Sequence, residues 1–108
     1  MRKQWYFHEH TLDRYVLLLG TLTIGLYDGR AQSPTVGCFE IQTLAAHDSA
    51  SPSGIRIPPG VWHSLRWESQ KGLFLNAKLP GYRRDLPDKF RIPMKDLPPE
   101  ITWNVDEA

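Results

Sequence analysis

The chain has little cysteine, no long apolar run and almost no net charge. Its 108 residues include one cysteine, Cys38, which excludes an internal disulfide and predicts a reducing, cytoplasmic compartment. The longest aliphatic run, 16–19, is far shorter than the ~20 residues of a membrane span, and the polar residues after 1–3 do not fit a secretory signal. Thirteen basic and twelve acidic residues give a net charge of +1. We therefore expect no binding to nucleic acid or membrane.

Short runs with period-2 alternation predict β-strands, and no window of ten or more residues has a helical period. In the first run, Trp5 and Phe7 fall on one face, and Tyr6, His8 and His10 fall on the other. The further predicted strands are 14–19, 21–27, 36–43, 55–57, 62–67 and 73–77. Short strands separated by turns about every ten residues predict an all-β antiparallel sandwich or barrel.

Proline is concentrated at the carboxyl-terminal end of the chain. Five of the nine prolines lie in the segment 80–108, and this density disfavours regular helix or strand. The same segment carries large apolar residues, which favour burial. We therefore expect one domain over 1–108, with 80–108 as an irregular, ordered tail packed on its surface.

Three histidines and one aspartate are candidates for a shared site. His8 and His10 project to the same side of an extended segment. Asp13 follows closely enough in the sequence for its carboxylate to lie near the two imidazoles. A proline- and glycine-rich turn at 58–60 is able to aim His63 into the same cavity. Three imidazoles and one carboxylate suit a divalent transition metal ion with positions left open for substrate. The alternative is chance proximity of exposed side chains, since His-x-His spacing is common.

These segments resemble the two sequence motifs of the cupin superfamily. The first motif is His-x-His, a carboxylate and a glycine at set spacings, and the second is Pro-x-Gly-x-x-His with a closing asparagine. The matching residues are His8, His10, Asp13 and Gly20 for the first motif, and Pro58, Gly60, His63 and Asn76 for the second. The resemblance implies a cupin-type jelly-roll barrel.

A closer resemblance covers nearly the whole chain. The sequence is similar to dTDP-4-dehydrorhamnose 3,5-epimerases and their short relatives. The matching segments are 13–16, 26–30, 33–37, 57–63 and 86–93. Those enzymes resemble cupins in fold, are generally metal-free dimers, and invert carbons beside a ketone by removing and returning protons. The resemblance therefore implies a homodimer that acts on a small carbonyl-containing molecule such as a nucleotide sugar.

The same resemblance implies roles for individual residues. His8 matches the catalytic histidine of the family, His63 matches the second histidine of the pocket, and Tyr82 lies near the region of the acid tyrosine. His10 stands where the family has glutamine, and Asp13 stands where it has lysine. The carboxylate that supports the family's base is absent at its usual place, where Asp85 or Asp88 is the alternative.

Substrate contacts are predicted at Tyr6, Trp62, Asn76 and Arg30. Trp62 offers an aromatic wall for a sugar, and packing in the core is an equally good interpretation. Arg30 sits at a strand end, where it either contacts a ligand or forms a structural ion pair.

Three functions stay open at this point. The first is a sugar epimerase or isomerase that transfers a proton next to a carbonyl, with His8 or His63 as base and Tyr82 as acid. The second is a metal-dependent cupin, in which His8, His10, Asp13 and His63 hold a divalent transition ion that polarises the carbonyl. The third is a non-catalytic module that kept the pocket and binds a small ligand.

Overall fold

The computed structural model describes residues 4–80 and 88–105, and these form two antiparallel sheets. The strands are β1 (Tyr6–Phe7), β2 (Asp13–Leu19), β3 (Thr21–Asp28), β4 (Phe39–Ala45), β5 (Gly54–Ile57), β6 (Val61–Trp67), β7 (Leu73–Asn76) and β8 (Phe90–Arg91), followed by a 3-10 helix at Met94–Asp96. One sheet has the order β4-β3-β6-β1-β8 and the other β5-β2-β7. The predicted all-β antiparallel jelly roll is confirmed. A single domain over 1–108 stays a prediction.

The main core lies between the two sheets and follows from the alternation of the strands. On β3, Leu22 and Ile24 point inward and are fully buried, while Thr23 and Gly25 point to the outer face. The inner side chains of β2, β5 and β6 complete the core, namely Tyr15, Leu17, Ile57 and Val61. Because β6 pairs with β3 in register, its inner face brings His63 opposite Leu26, at the border of this core.

A second cluster covers the outer face of the five-stranded sheet. Trp5, Ile92 and Ile101 are buried there, so the described part of the carboxyl-terminal segment that carries Ile92 and Ile101 packs on the sheet. Gly25 makes this approach possible, because a Cβ at that position would lie 2.7 Å from the ring of Trp103 and 2.8 Å from Trp5. The tail leaves the opposite, inward face of the same strands available for a site.

The tail is more regular than its proline content predicts. Between its prolines, β8 pairs with β1, and a 3-10 helix follows. The Ile92 amide also donates to the Trp5 carbonyl at 2.9 Å. Two residues without proline are enough to add a strand to an edge, which explains the difference. In the part of the chain described, no helix is long and apolar enough to cross a membrane.

Candidate active site

A cavity of about 480 Å³ opens between the two sheets, beside the main core. Strands β1, β2, β6 and β7 and the tail all contribute to its lining. The ionisable and amide residues that line it are Gln4, Tyr6, His8, Asp13, Tyr15, His63, Asn76, Lys78 and Lys89. Its size lies in the range typical of pockets for small molecules.

Two imidazoles share one buried carboxylate in this cavity. His8 Nε2 lies 2.9 Å from Asp13 Oδ2, and His63 Nε2 lies 3.4 Å from the same oxygen. The two imidazole centroids are 5.4 Å apart. Asn76 Nδ2 donates to the other carboxylate oxygen of Asp13 at 3.0 Å, and the Tyr15 hydroxyl lies 3.5 Å from Oδ2. The Asp13 side chain is fully buried, so these groups are its immediate environment.

Backbone pairing brings the two histidines together from distant parts of the sequence. Tyr6 of β1 is in register with His63 of β6, which places His8 at the end of the same pair of strands. The Gly60 amide donates to the His8 carbonyl at 2.7 Å. Gly60 has a φ of +84°, a conformation that favours glycine, so the turn at 58–60 docks on the histidine segment before β6 begins.

Asp88 of the tail fixes the segment that carries His8. Its carboxylate accepts hydrogen bonds from the amides of Glu9 and His10, at 2.9 and 2.8 Å, and from the Thr11 hydroxyl at 2.8 Å. Its main-chain carbonyl contacts His8 Nδ1. Asp88 therefore supports His8 through its backbone oxygen, while its side chain holds the following loop.

The shared carboxylate gives the two histidines different protonation preferences. The hydrogen bond with Asp13 raises the pKa of His8 above its usual value of 6.5, against the opposing effect of burial. Burial lowers the pKa of His63 to about 4, so this ring is neutral at pH 7. Burial opposes the charge on Asp13, but hydrogen bonds from His8 and Asn76 outweigh it and keep its pKa below the usual value. The pocket thus favours an imidazolium, a carboxylate and a neutral imidazole side by side.

The structure brings His8, Asp13 and His63 together and leaves His10 out. The prediction that His10 shares their cavity is wrong, because its side chain is 81% exposed and its Nε2 lies 3.8 Å from Glu9 Oε2. Strand β1 ends at Phe7 and the chain bends at 9–10, so the alternation does not continue as far as His10.

The four predicted substrate contacts divide evenly. Tyr6 and Asn76 line the cavity, whereas Trp62 and Arg30 do not. Trp62 precedes His63 on β6 and therefore points to the outer face, where its ring centroid lies 5.0 Å from that of Tyr27.

Arg30 belongs to a different part of the molecule. It pairs with Asp28 at 2.9 Å, beside a separate cavity of about 380 Å³. The predicted acid, Tyr82, lies outside the described residues.

Sequence reasoning missed two cationic residues of the cavity, Lys78 and Lys89. Lys78 lies two positions after Asn76, and period-2 alternation would have placed both on one face. Lys89 comes from the tail, whose path has no periodic signal.

Comparison with known proteins identifies relatives in sugar metabolism. No protein-family model matches the chain. It is 31% identical over 106 residues to the probable low-salt glycan biosynthesis epimerase Agl13 of Haloferax volcanii, covering 96% of this chain and 66% of that protein. It is 29% identical over 105 residues to the spore coat polysaccharide biosynthesis protein SpsL of Bacillus subtilis, covering 96% and 68%. The chain is a homologue of these proteins.

A solved structure shares both the fold and part of the sequence. The dTDP sugar isomerase of Desulfovibrio desulfuricans G20 matches with a TM-score of 0.71 and 27% identity, over 82% of this chain and 55% of that one. The predicted similarity is thus confirmed at the coarser level of sugar epimerases and isomerases, and the resemblance to cupins and to dTDP-4-dehydrorhamnose 3,5-epimerases stays a prediction. The chain spans about two thirds of the curated relatives and about half of this structure.

Proposed function

We propose that the chain is a sugar epimerase or isomerase that moves a proton next to a carbonyl, with a nucleotide sugar as substrate. One observation carries the proposal: two imidazoles from distant strands share the buried Asp13 carboxylate inside a cavity large enough for a sugar. The names of the homologues, an epimerase and a dTDP sugar isomerase, support the substrate class.

Hydrogen-bond partners assign complementary roles to the two rings. His8 Nδ1 faces the Asp88 carbonyl and its Nε2 faces the Asp13 carboxylate, so both nitrogens carry protons and His8 is the proton donor. His63 Nδ1 faces the Val61 carbonyl at 3.2 Å and donates to it, which leaves Nε2 as the proton acceptor. In this mechanism His63 removes the proton next to the carbonyl and is oriented by the Val61 carbonyl, His8 supplies a proton, and Asp13 orients the ring of His8.

Hydrogen exchange measures this activity directly. A dTDP-linked 4-keto sugar is incubated with the protein in deuterated water, and the ring protons next to the ketone are followed by NMR. We expect their signals to disappear with the wild-type chain, and not with His63→Gln. Absence of exchange over a panel of keto-sugar nucleotides would contradict the proposal. Ligand-induced thermal stabilisation without exchange would favour the binding-module alternative.

A metal centre is the second candidate function, and it uses three of the four predicted ligands. Ligand atoms of His8, Asp13 and His63 all lie within 4.8 Å of one another, so this donor set fits a divalent transition ion with open positions. Such an ion would polarise the substrate carbonyl as a Lewis acid. The exposed His10 is not among these ligands.

Elemental analysis of protein purified without a histidine tag distinguishes the two candidates. Close to one equivalent of bound metal, lost in Asp13→Asn, would support the metal centre. A stoichiometry near zero, together with no binding of added zinc or manganese by calorimetry, would overturn it.

We also propose that the chain forms a homodimer through the outer face of the three-stranded sheet. Val16, Leu18, Leu73 and Leu75 are 45 to 58% exposed there, and β2 and β7 pair in a register that sets Val16 beside Leu75. Two copies of this flat apolar face related by a two-fold axis would cover each other.

Analytical ultracentrifugation tests the dimer. We expect a dimer for the wild-type chain and a monomer for Leu75→Lys. The matched control is Ile41→Lys, which changes an apolar residue of similar exposure on β4 of the other sheet. A wild-type monomer at all concentrations would overturn the proposal.

A further inference from the structure

Two lysines reach the histidine cavity from independent parts of the fold. Lys78 follows β7, and Lys89 precedes β8. Each lysine lies next to a backbone segment that hydrogen bonds hold in place. Leu79 and Leu12 exchange two backbone hydrogen bonds of 2.9 and 3.0 Å beside Lys78, and Asp88 anchors the chain beside Lys89. The two ammonium groups are therefore carried by well-anchored backbone.

The charges of both lysines act on the proton-transfer pair. The ammonium of Lys78 is one of the influences that lower the pKa of His8, and the ammonium of Lys89 is one of those that lower the pKa of His63. The Lys89 Nζ lies 4.2 Å from the centre of the Tyr6 ring, a cation–π contact that holds it at the cavity wall. One lysine thus acts on each histidine.

The buried Asp13 anion is already paired with His8 at 2.9 Å, so a second negative oxygen in the cavity needs additional positive charge. The Asp13 carboxylate is fully shielded from solvent, and any further negative oxygen placed beside it is repelled in this low-dielectric setting. Proton removal next to a carbonyl creates such an oxygen, and a phosphate brings one into the site. Among the described residues that line the cavity, Lys78 and Lys89 are the only lysine or arginine side chains.

We propose that Lys78 and Lys89 together form an oxyanion-binding element of this cavity. This inference rests on the proposed function in one respect, since the oxyanion belongs to the carbonyl substrate of that reaction. Its source is either the enolate oxygen that develops during proton transfer or a phosphate oxygen that the substrate already carries.

Charge removal tests the element kinetically. Lys78→Met, Lys89→Met and the double variant keep most of the side-chain volume, and the exposed Lys95→Met is the matched control. We expect kcat/KM to fall about 100-fold in the double variant and to stay unchanged in the control. A loss in kcat identifies the enolate as the source, whereas a rise in KM identifies a phosphate. Arginine at both positions should restore most of the activity. A double variant within twofold of wild type overturns the proposal.

A binding measurement separates this inference from the proposed function. Lysine amines are reductively methylated with a ¹³C label, and inorganic pyrophosphate is added. We expect the Lys78 and Lys89 signals to move and those of Lys71 and Lys95 to stay. If no keto sugar reacts but these two signals move, the anion site stands and the proposed reaction fails. If exchange is catalysed, the lysine variants are unimpaired and no signal moves, the reaction stands and the anion site fails.

Discussion

Asp13 and Asp28 are both buried aspartates with a lowered pKa, yet their surroundings differ in kind. The Asp28 carboxylate accepts its hydrogen bonds from residues of its own loop. Arg30 donates to it from its backbone amide, Nε and Nη2 at 2.9 to 3.0 Å. The hydroxyls of Ser33 and Thr35 donate at 2.6 and 2.5 Å. Every donor lies within seven residues, so this network closes one loop.

Asp13 draws its partners from across the fold instead. His8 and Asn76 contact it closely, His63 is more distant at 3.4 Å, and all three line a cavity. A buried carboxylate that gathers two imidazoles and one amide from distant segments is costly to maintain, and sites of that kind cluster where function requires them. Both aspartates line a cavity, so the origin of their partners distinguishes them: local partners mark Asp28 as structural, and long-range partners mark Asp13 as functional.

The largest expected effect is a loss of activity, and it tests whether Asp13 is the functional aspartate. Asp13→Asn keeps the shape and removes the charge that orients the His8 imidazole, so we expect hydrogen exchange of the keto sugar to slow by about 1,000-fold. The midpoint of thermal unfolding should fall modestly, because the partners that lower the pKa of Asp13 stabilise its charge in the folded state, while removal of a buried charge offsets part of that loss. A variant that unfolds at a much lower temperature would show that Asp13 is structural.

The converse change is a loss of stability, and it tests whether Asp28 is the structural aspartate. Asp28→Asn removes the charged acceptor of an arginine and two hydroxyls, which should lower the free energy of unfolding by about 3 kcal/mol. In a chain of this size the unfolding midpoint then falls by more than about 10 °C, measurable by calorimetry. Asp48→Asn, in an exposed loop with its own local hydrogen bonds, is the matched control and should change little. Below the new midpoint, exchange activity should persist.

A pH series sharpens the same contrast. The Arg30 hydrogen bonds hold the folded-state pKa of Asp28 below its usual value, so its contribution to stability is complete above about pH 4 and is lost as the pH falls towards the folded-state pKa. The stability difference between wild type and Asp28→Asn should therefore shrink from pH 6 to pH 3 in urea unfolding. A difference independent of pH would mean that the charge of Asp28 does not stabilise the fold.

The smallest effect is expected at the histidine outside the cavity. His10→Ala should leave exchange activity and the unfolding midpoint within error of wild type, because the side chain is exposed and the contact to Glu9 is long. A tenfold loss of activity would return His10 to the site and contradict the geometry. His8→Ala provides the positive control.

Period-2 alternation explains how much of the site was predictable. It correctly separated Tyr6 and His8 from Trp5 and Phe7, and the confirmed jelly roll follows from the same pattern. The alternation failed to predict the position of His10 because β1 ends before it. A local pattern indicates which face a side chain occupies, but the length of a strand depends on its pairing partners. Strand β1 pairs with β6 on one edge and with β8 on the other, and β8 lies in the proline-rich tail.

The positions of Trp62 and Arg30 follow from simple local rules of strand alternation and ion pairing. Neighbouring residues of a strand face opposite sides, so Trp62 and His63 were never able to line the same cavity. The ion pair of Arg30 with Asp28 was one of the two interpretations of that arginine, and the acceptor was two residues away. By contrast, Lys89 reaches the cavity along an irregular path, and only tertiary packing determines it.

The orientation of His8 depends on hydrogen bonds made by Asp88, a residue of the carboxyl-terminal tail. Without this residue, two backbone amides and the Thr11 hydroxyl lose their acceptor, and the imidazole of His8 loses a contact that fixes its rotation. A nascent or truncated chain that ends before it would carry both histidines and still lack an oriented proton donor. The orientation of the His8 ring is therefore set in part by a residue that lies 80 positions later in the chain.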